Sequence, residues 1–293
     1  MSELSRPADP AKTIAFQGEH GAYSDLACRM AHPELTTLPC RTFEDAFAAV
    51  RDDKAAFGMI PIENSVAGRV ADIHHLLPGS GLHIISEHYQ RINHHLLAVP
   101  GTKLEDIKEV HSHVHALSQC RDFTNKHNMV SVVAVDTAGS AKEIAKSGDK
   151  TRAVIASELA GEIYGLESLA GDIEDAEHNT TRFIIMTKEA IVPHPKIENP
   201  VTSFVFTVRN VPAALYKATG GFATNGVNMT KLESYMVDGN FFATQFYADV
   251  EGHPENRNLR LALEELEFFT HEVKILGVYP AHPYRLSQKM NTD

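Results

Sequence analysis

The sequence has few of the features that mark a secreted, membrane-bound or disulfide-linked protein. Its three cysteines, Cys28, Cys40 and Cys120, show no C-x-x-C spacing, so reduced thiols are expected rather than a disulfide framework. No stretch approaches the roughly 18 consecutive apolar residues of a membrane-spanning helix. Residues 1–12 carry acidic residues and prolines without an apolar core, so no signal peptide is expected. These absences predict a cytoplasmic protein with no membrane partner.

Positive charge is also scarce. There are 27 lysines and arginines against 38 aspartates and glutamates, which gives a formal net charge of −11. This excess of negative charge disfavours nucleic acid and anionic membrane surfaces as partners. An anionic small molecule is still a reasonable ligand, because a local pocket can be positive on an acidic protein. The hydrophobic content of 43% in 293 residues is that of a globular protein with one large or two ordinary domains.

Short apolar strands alternate with helical patterns over residues 13–190, which predicts an α/β domain with a mostly parallel sheet. Such sheets bind ligands at the carboxyl ends of their strands, where loops lead into helices. Polar stretches fall at five of these junctions, namely residues 18–24, 63–65, 112, 136–140 and 178–182. We therefore expect them to converge on one crevice.

A second pattern follows a linker over residues 191–200, which contains three prolines that break both helix and strand. Residues 201–282 predict the order strand, helix, strand, strand, helix, strand, a ferredoxin-like α+β unit whose first helix begins at Pro212. Exposed sheet edges in so small a unit invite pairing with a second copy. Residues 283–293 are predicted to be a polar tail.

Four motifs at these junctions resemble the signatures of the prephenate dehydratase family. They are GEHGAYS at 18–24, PIENSVAG at 61–68, Ser112 with Gln119-Cys120, and NTTRF at 179–183. The C-terminal unit resembles the ACT regulatory domain that usually follows. The resemblance implies a two-lobed catalytic domain, like a type II periplasmic binding protein, with crossovers near 92–98 and 182–187. It also implies conversion of prephenate to phenylpyruvate, a step of phenylalanine biosynthesis, with no metal or organic cofactor.

The resemblance also assigns a role to the NTTRF motif. Prephenate must lose its ring hydroxyl, and a proton donor at that oxygen helps the hydroxyl to leave. The family match places Thr181 there, as a hydrogen-bond donor that passes on a proton. Arg182 is expected to bind a substrate carboxylate, because guanidinium pairs with carboxylate through two hydrogen bonds. A salt bridge at the surface or between the lobes is the alternative role for Arg182.

Other polar residues of the motifs are expected to hold the substrate. Asn64, Ser112 and Gln119 are expected to orient its hydroxyl and its pyruvyl end. Glu63 is either a second acid or a structural acceptor, and the structural role is favoured. Further substrate-binding residues are predicted to be Tyr23, Ser24, Ser65, Thr137 and Phe183.

The C-terminal unit departs from the usual ACT pattern at two places. Ala213 stands where the family usually has a glycine, and Tyr235 stands where it usually has an arginine. The expected phenylalanine-binding residues are Pro212, Ala213, Ala214, Leu215, Asn228, Glu233 and Ser234. Phenylalanine is expected to bind between two ACT domains of a homodimer or homotetramer. The alternative is a dimerisation domain with weak or no control.

The residues leave other functions open. Arogenate dehydratase performs the same chemistry on the transaminated substrate, and the sequence does not separate the two. A non-catalytic amino-acid sensor needs no proton donor, so the hydroxyl of Thr181 favours an enzyme. His111, His113 and His115 could share one face of a strand and bind zinc. A helix is predicted to begin within this stretch and break the alternation, so no metal is expected.

Overall fold

The computed structural model describes residues 9–209, 211–237 and 240–290. The chain forms two compact units. The first unit comprises the chain up to Val70 together with Tyr89–Phe183, and the second comprises Ala71–His88 together with the chain from Ile184. The sequence predicts a catalytic domain over residues 13–190, and residues 71–88 and 184–190 of that range lie in the second compact unit.

The helices and strands follow the predicted alternation, with short 3-10 helices at Pro10–Lys12 and Leu104–Asp106. In chain order they are β1 (Thr13–Gln17), α1 (Tyr23–Ala31), β2 (Thr36–Cys40), α2 (Phe43–Arg51), β3 (Phe57–Asn64), β4 (Gly68–Arg69), α3 (Ala71–Leu76), β5 (His83–Arg91), β6 (His95–Ala98), β7 (Glu109–His113), α4 (Val114–Gln119), α5 (Arg121–Lys126), β8 (Val130–Ala134), α6 (Thr137–Ser147), β9 (Arg152–Ala156), α7 (Glu158–Tyr164), β10 (Glu167–Ala170), β11 (Thr180–Thr187), β12 (Pro200–Val208), α8 (Ala214–Thr224), β13 (Met229–Val237), β14 (Asn240–Glu251), α9 (Arg257–Phe269), β15 (Thr270–Pro280) and α10 (Pro283–Met290). Within the described ranges, no helix is both long and apolar enough to cross a membrane.

Two sheets build the first unit, which confirms the predicted α/β class. One sheet has the order β11-β3-β1-β2, with β1 parallel to β2 and β3, and β11 enters it at Thr180. The other has the order β10-β6-β9-β7-β8. In it β7 is parallel to β8 and β9, but β6 is antiparallel to β9 and β10. The second sheet is therefore mixed rather than mostly parallel, as is common in larger α/β sheets.

Strand β9 shows why the second sheet is covered on both faces. Ala153 and Ile155 join a hydrophobic cluster with Leu117 of α4, whereas Val154 joins a cluster with Ile144 of α6. Successive strand residues point to opposite faces, so a strand that packs helices on both sides must be apolar throughout. This explains the continuous apolar pattern of residues 153–156 in the sequence.

The second unit contains the predicted βαββαβ order as β12, α8, β13, β14, α9 and β15. The strand order is β13-β14-β12-β15, and all three pairings are antiparallel. Both helices contribute to one hydrophobic cluster with the sheet, in which Phe204 and Phe222 stack with ring centroids 5.9 Å apart. The turn predicted at residues 237–240 includes residues 238–239, which lie outside the described residues.

Helix α8 begins later than predicted, at Ala214 rather than Pro212. Ala213 precedes the helix in the left-handed conformation, with φ of 60°. This conformation favours glycine, because a Cβ atom crowds the backbone there. The position therefore suits the glycine that the ACT pattern usually carries, and the alanine adopts it at some cost.

Residues 71–88 belong to the second unit because they pack on its sheet. The ring of His74 contacts Tyr235 and Tyr247 at centroid distances of 5.8 and 5.5 Å. Strand β5 pairs in parallel with β15 where Ile84 lies opposite Gly277. A Cβ atom at Gly277 would lie 2.0 Å from the carbonyl oxygen of Ile84, so only glycine permits this approach. Local sequence pattern does not reveal such a pairing between distant strands.

Residues 283–290 of the predicted polar tail form helix α10. Its Arg285 donates to both carboxylate oxygens of Glu87, at 2.9 and 2.8 Å. A second carboxylate, that of Asp249, has an oxygen 3.5 Å from the same guanidinium. Both acidic side chains are fully buried, so they need this positive charge. The buried acids fix the helix, although the sequence of the segment itself is polar.

We predict that Arg285→Ala lowers the free energy of unfolding by about 3–5 kcal/mol, because it leaves buried carboxylates without their arginine. The matched control is Arg260→Ala in α9, whose partner Glu264 lies 3.9 Å away with both side chains exposed. That change should cost about 0.5 kcal/mol or less. Urea denaturation followed by circular dichroism measures both, and equal effects of the two changes would contradict the prediction.

Candidate active site

The ends of β3 and β11 bring the second and fourth motifs together. The amide of Ser65 donates to the carbonyl oxygen of Thr180 at 2.9 Å, and its hydroxyl donates to the carbonyl oxygen of His178 at 2.6 Å. The same hydroxyl accepts from the amide of Thr180. Ser65, predicted to bind substrate, thus joins the two segments. The predicted strand-to-helix junction here is instead a hairpin, since β4 pairs with β3 at Glu63 and Asn64.

Asn64 links this hairpin to Thr181. Its Oδ1 accepts from the backbone amides of Val66 and Ala67, at 2.9 and 2.7 Å. Its Nδ2 consequently faces Asn179 Oδ1 at 2.8 Å and Thr181 Oγ1 at 3.0 Å. The hydroxyl oxygen of Thr181 accepts this hydrogen bond, and its own hydrogen is left to donate elsewhere.

The hydrogen-bonded chain continues from Asn179 into the rest of the first unit. Asn179 Nδ2 donates to Gln119 Oε1 at 3.0 Å, and His94 Nε2 lies 2.9 Å from the same oxygen. His94 Nδ1 in turn lies 2.8 Å from the hydroxyl of Tyr23, which also contacts the carbonyl oxygen of Asn93 at 2.8 Å. The motifs around residues 23, 64, 119 and 181 therefore form one network, as the sequence predicts for a common crevice.

Burial keeps the inner end of this network neutral. It raises the pKa of Tyr23 well above its usual value, and the nearby Cys120 and Glu174 raise it further. Burial also lowers the pKa of His94, against the opposing effects of Gln119 and Glu174. At neutral pH the network thus contains a protonated phenol and an uncharged imidazole. The hydroxyl of Tyr23, predicted to bind substrate, is directed to His94 and Asn93.

A cavity of about 230 Å³ opens beside this network. Its lining residues are Val66, Ala67, His115, Ser118, Gln119, Glu174, Asp175, Ala176 and Asn179. The volume is somewhat below the roughly 300–1,000 Å³ of typical ligand pockets, so it suits a small substrate. Among the described residues that line it there are two carboxylates and no lysine or arginine.

Arg182 does not reach this cavity. Its side chain is only 2% exposed, and its Nη1 donates to Glu63 Oε1 at 2.9 Å. Arg182 thus pairs with a carboxylate of the protein, where the sequence predicts a carboxylate of the substrate. This contact corresponds to the salt-bridge alternative for Arg182 and to the structural role for Glu63. Phe183 is also buried, and its side chain belongs to the core. Neither Arg182 nor Phe183 is among the described residues that line the cavity, and Thr181 and Asn64 are not among them either.

Three further residues predicted to contact the substrate lie within strands or helices and do not line the cavity. Ser112 is fully buried on β7, and its hydroxyl donates to the carbonyl oxygen of Ile155 at 2.6 Å, so it does not begin a helix. Ser24 is buried in the first turn of α1. Thr137 is the first residue of α6, whose amide at Gly139 is capped by Asp136. None of the three is among the described residues that line the cavity.

The amides of Gly18, Gly21 and Ala22 in the glycine turn at residues 18–24 donate within the protein. The amide of Gly21 donates to the buried carboxylate of Asp25 at 2.9 Å. Gly21 has φ of +87°, and a Cβ atom there would lie 2.8 Å from Ala160 Cα. Across the same contact, Lys142 Nζ pairs with Glu19 at 2.9 Å. The anion at this helix start is therefore Asp25, and the turn packs against α6 and α7.

Two functional residues escaped the sequence analysis. His94 is not among the residues that the sequence analysis selects, yet it is 2% exposed and central to the network. Glu174 has a buried side chain that accepts from the amide of His94 at 2.9 Å and pairs with Arg91 at 3.3 Å. Both lie outside the motifs, and no spacing rule links residue 94 to residue 174.

The histidine triplet has other roles than zinc binding. His111 lies 3.2 Å from Glu109, and His113 Nδ1 accepts from the amide of His115. Strand β7 ends at His113, which breaks the alternation of faces. In the part of the chain that the structure describes, no group of three or more His, Cys, Asp or Glu side chains is placed to hold a metal ion.

Residues 14–191 match the family model described as prephenate dehydratase. The chain belongs to the prephenate dehydratase family. Prephenate dehydratases are lyases, so the predicted enzyme class is confirmed. Thr181 and the hairpin that carries Asn64 both fall inside the matched region.

Relatives of this dehydratase family are similar over nearly the whole chain. A Komagataeibacter europaeus protein described as a bifunctional N-acyl-homoserine lactone acylase/prephenate dehydratase is 52% identical over 274 residues, covering 94% of this chain and 98% of its own length. Arogenate dehydratase/prephenate dehydratase 1 of Arabidopsis thaliana is 39% identical over 295 residues, with 95% and 75% covered. The crystal structure of prephenate dehydratase from Arthrobacter aurescens in complex with L-Phe has a TM-score of 0.83 at 31% identity, with 92% and 89% covered.

We predict a pH-dependent contribution of Asp25 to stability. Burial by itself raises the pKa of this carboxyl, but hydrogen bonds from His20, the Gly21 amide, Arg29 and Thr37 outweigh it and lower the pKa to about 2. A carboxyl whose pKa is lower in the folded state stabilises the protein above its unfolded pKa, and this contribution is lost as the pH falls toward the folded pKa. The contribution is about 2 kcal/mol.

Asp25→Asn should therefore narrow the gap in unfolding free energy between about pH 5 and about pH 2, relative to the unchanged protein. Urea midpoints at the two pH values measure this gap. Glu105→Gln, at an exposed carboxylate, is the control and should leave the gap nearly unchanged. Parallel pH dependence of Asp25→Asn and the unchanged protein would refute the assignment.

Proposed function

We propose that this protein is a cytoplasmic prephenate dehydratase, which converts prephenate to phenylpyruvate, water and carbon dioxide in phenylalanine biosynthesis. The observation that carries the proposal is the orientation of Thr181. Its hydroxyl accepts from Asn64, which leaves its own hydrogen to donate to a substrate oxygen. The catalytic part is residues 13–190, with the crossovers near 92–98 and 182–187, followed by the linker at 191–200.

The reaction needs one proton at the departing oxygen. The bond from the ring to its carboxylate breaks, and its electron pair enters the ring, which becomes aromatic as the carbon–oxygen bond opposite breaks. The hydroxyl leaves as water when it takes a proton through Thr181. A proton from solvent then restores the hydroxyl of Thr181. A threonine hydroxyl is a weak acid, but a hydrogen bond accepted from Asn64 strengthens the one that it donates.

Gln119 orients the other end of the substrate. Its Oε1 is used by Asn179 and His94, so its Nε2 remains to donate into the cavity that it lines. A donor held in place before the substrate arrives loses little entropy on binding, and such positioning supports catalysis. Asn64 likewise holds the hydroxyl of Thr181 in place by donating a hydrogen bond to it.

The acidic lining of the cavity supports a second substrate. Glu174 and Asp175 both line it, and a carboxylate favours a nearby ammonium group. Arogenate carries an amino group where prephenate carries a keto group. The Arabidopsis relative is described as acting on both, so the aminated substrate belongs in the test. Acylase activity belongs there too, because the relative that is 52% identical is described as bifunctional.

The unit over residues 201–282 serves as an ACT domain that binds phenylalanine and pairs two or four copies of the chain. Its βαββαβ order supports this role, and so does the complex of the Arthrobacter relative with L-Phe. Pro212, Ala213, Asn228 and Ser234 are exposed and remain candidates for contact with the effector. Ala214 is buried, Leu215 packs against the core, and Glu233 pairs with Lys231, so these three support the site from within.

The function is tested by offering the purified protein prephenate, arogenate and an N-acyl-homoserine lactone. We expect phenylpyruvate from prephenate, and Thr181→Val should lower kcat by about 10²- to 10⁴-fold because it removes the hydroxyl at nearly constant volume. Thr181→Ser should retain most activity. Thr187→Val, at the other end of β11, is the matched control and should behave as the unchanged protein.

Near-normal turnover of prephenate by Thr181→Val would rule out the assigned role. A higher kcat/KM on arogenate than on prephenate would make the second candidate the main substrate. Release of homoserine lactone that survives Thr181→Val would place acylase chemistry elsewhere in the protein.

Control by phenylalanine is tested with the same assay. Phenylalanine should lower turnover and raise the melting temperature, because a ligand that binds only the folded state stabilises it. Ala213→Gly removes the methyl group and relieves the left-handed alanine, so it should strengthen both effects. Sedimentation measures the oligomeric state with and without phenylalanine. If neither turnover nor melting temperature responds, the unit serves dimerisation alone.

A further inference from the structure

The ring of His94 lies between two residues of the site and is held at both nitrogens. Nε2 is 2.9 Å from Gln119 Oε1, and Nδ1 is 2.8 Å from the hydroxyl of Tyr23. The Tyr23 ring contacts the imidazole edge-on, at a centroid distance of 5.4 Å. The backbone amide of His94 is held as well, by Glu174. A side chain so constrained cannot turn without breaking the network.

The directions of the hydrogen bonds from Asn64 through Asn179 to Gln119 follow from two backbone groups. The amides of Val66 and Ala67 can only donate, so the Asn64 atom that faces them must be the oxygen. Asn64 Nδ2 then donates to Asn179, whose facing atom must be its oxygen. Asn179 Nδ2 is consequently the donor to Gln119, whose facing atom is Oε1.

The same reasoning fixes the tautomer of His94. An amide oxygen accepts only, so the hydrogen of the neutral imidazole lies on Nε2 and points at Gln119. Nδ1 is then an acceptor, and it shares the single hydrogen of the Tyr23 hydroxyl with the carbonyl oxygen of Asn93. Gln119 Oε1 is thus held between two donors, and this arrangement turns Gln119 Nε2 toward the cavity.

We infer that His94 is a positioning residue for the dehydration, which acts by donating from Nε2 to Gln119. This hydrogen bond keeps the Gln119 amide turned toward the substrate and keeps Asn179 in line with Asn64 and Thr181. His94 does not line the cavity in the part of the chain that the structure describes, so it works through Gln119. The inference rests on the proposed function, since the effect is measured as turnover of prephenate.

Two substitutions of similar size separate this role from simple packing. In His94→Gln the amide nitrogen reaches the place of Nε2 and can still donate to Gln119. In His94→Asn the side chain is shorter, so it reaches only the place of Nδ1 and faces Tyr23 alone. We expect His94→Asn to lower kcat by about 10- to 100-fold, as misplaced catalytic groups do, and His94→Gln to lose clearly less.

His95→Asn is the matched control, because the neighbouring histidine contacts Ser168 and has no part in the network. It should leave kcat unchanged. A double-mutant cycle with Gln119→Ala tests the route: once Gln119 is gone, His94→Asn should change kcat less than about 2-fold. Equal losses in His94→Asn and His94→Gln, or a full additional loss in the Gln119→Ala background, would overturn the inference.

A measurement on the unchanged protein needs no folding of a variant. The ¹⁵N shifts of labelled histidine distinguish the two imidazole tautomers, and His94 should carry its hydrogen on Nε2 at neutral pH. A hydrogen on Nδ1 would overturn the inference even if every variant failed to fold. An unchanged protein without turnover of prephenate or arogenate instead refutes the proposed function, and the role of His94 in dehydration falls with it.

Discussion

Two backbone amides at the tip of one hairpin set the chemistry of this site. Those of Val66 and Ala67 both donate to Asn64 Oδ1, and a backbone amide cannot exchange donor for acceptor. Every side chain further along the network then has a single compatible orientation, as far as Thr181 in one direction and His94 in the other. Because the orientation starts from the backbone, it exists before any substrate binds, and this preorganisation is what catalysis by hydrogen-bond donors requires.

The charges around the cavity affect how readily a substrate loses its carboxylate. The guanidinium of Arg182 is paired with Glu63 inside the protein, whereas Glu174 and Asp175 line the cavity. A carboxylate placed among carboxylates is poorly stabilised, and its loss as carbon dioxide removes the charge. The same acidic lining is compatible with an amino group on the substrate.

Buried charge and a close approach of two backbones determine which segments belong to the second unit. Segment 71–88 packs on its sheet because Gly277 admits strand β5, and helix α10 is fixed because Arg285 serves the buried Glu87 and Asp249. The partners lie far apart in the sequence, by 198 positions for Arg285 and Glu87, and they share no local pattern.

Much of this protein was predictable from sequence because the relevant signals are local. Alternating apolar strands and helices predicted the α/β plan, the βαββαβ order followed from the same periodicity, and the motifs pointed to Thr181, Asn64 and Gln119. Tertiary structure alone decided the rest. It buried Arg182 against Glu63, directed Ser65 and Ser112 to backbone carbonyls, and placed His94 between Tyr23 and Gln119. The reason is physical: periodicity records which face of an element is buried, whereas the partner of a polar group depends on which distant segment reaches it.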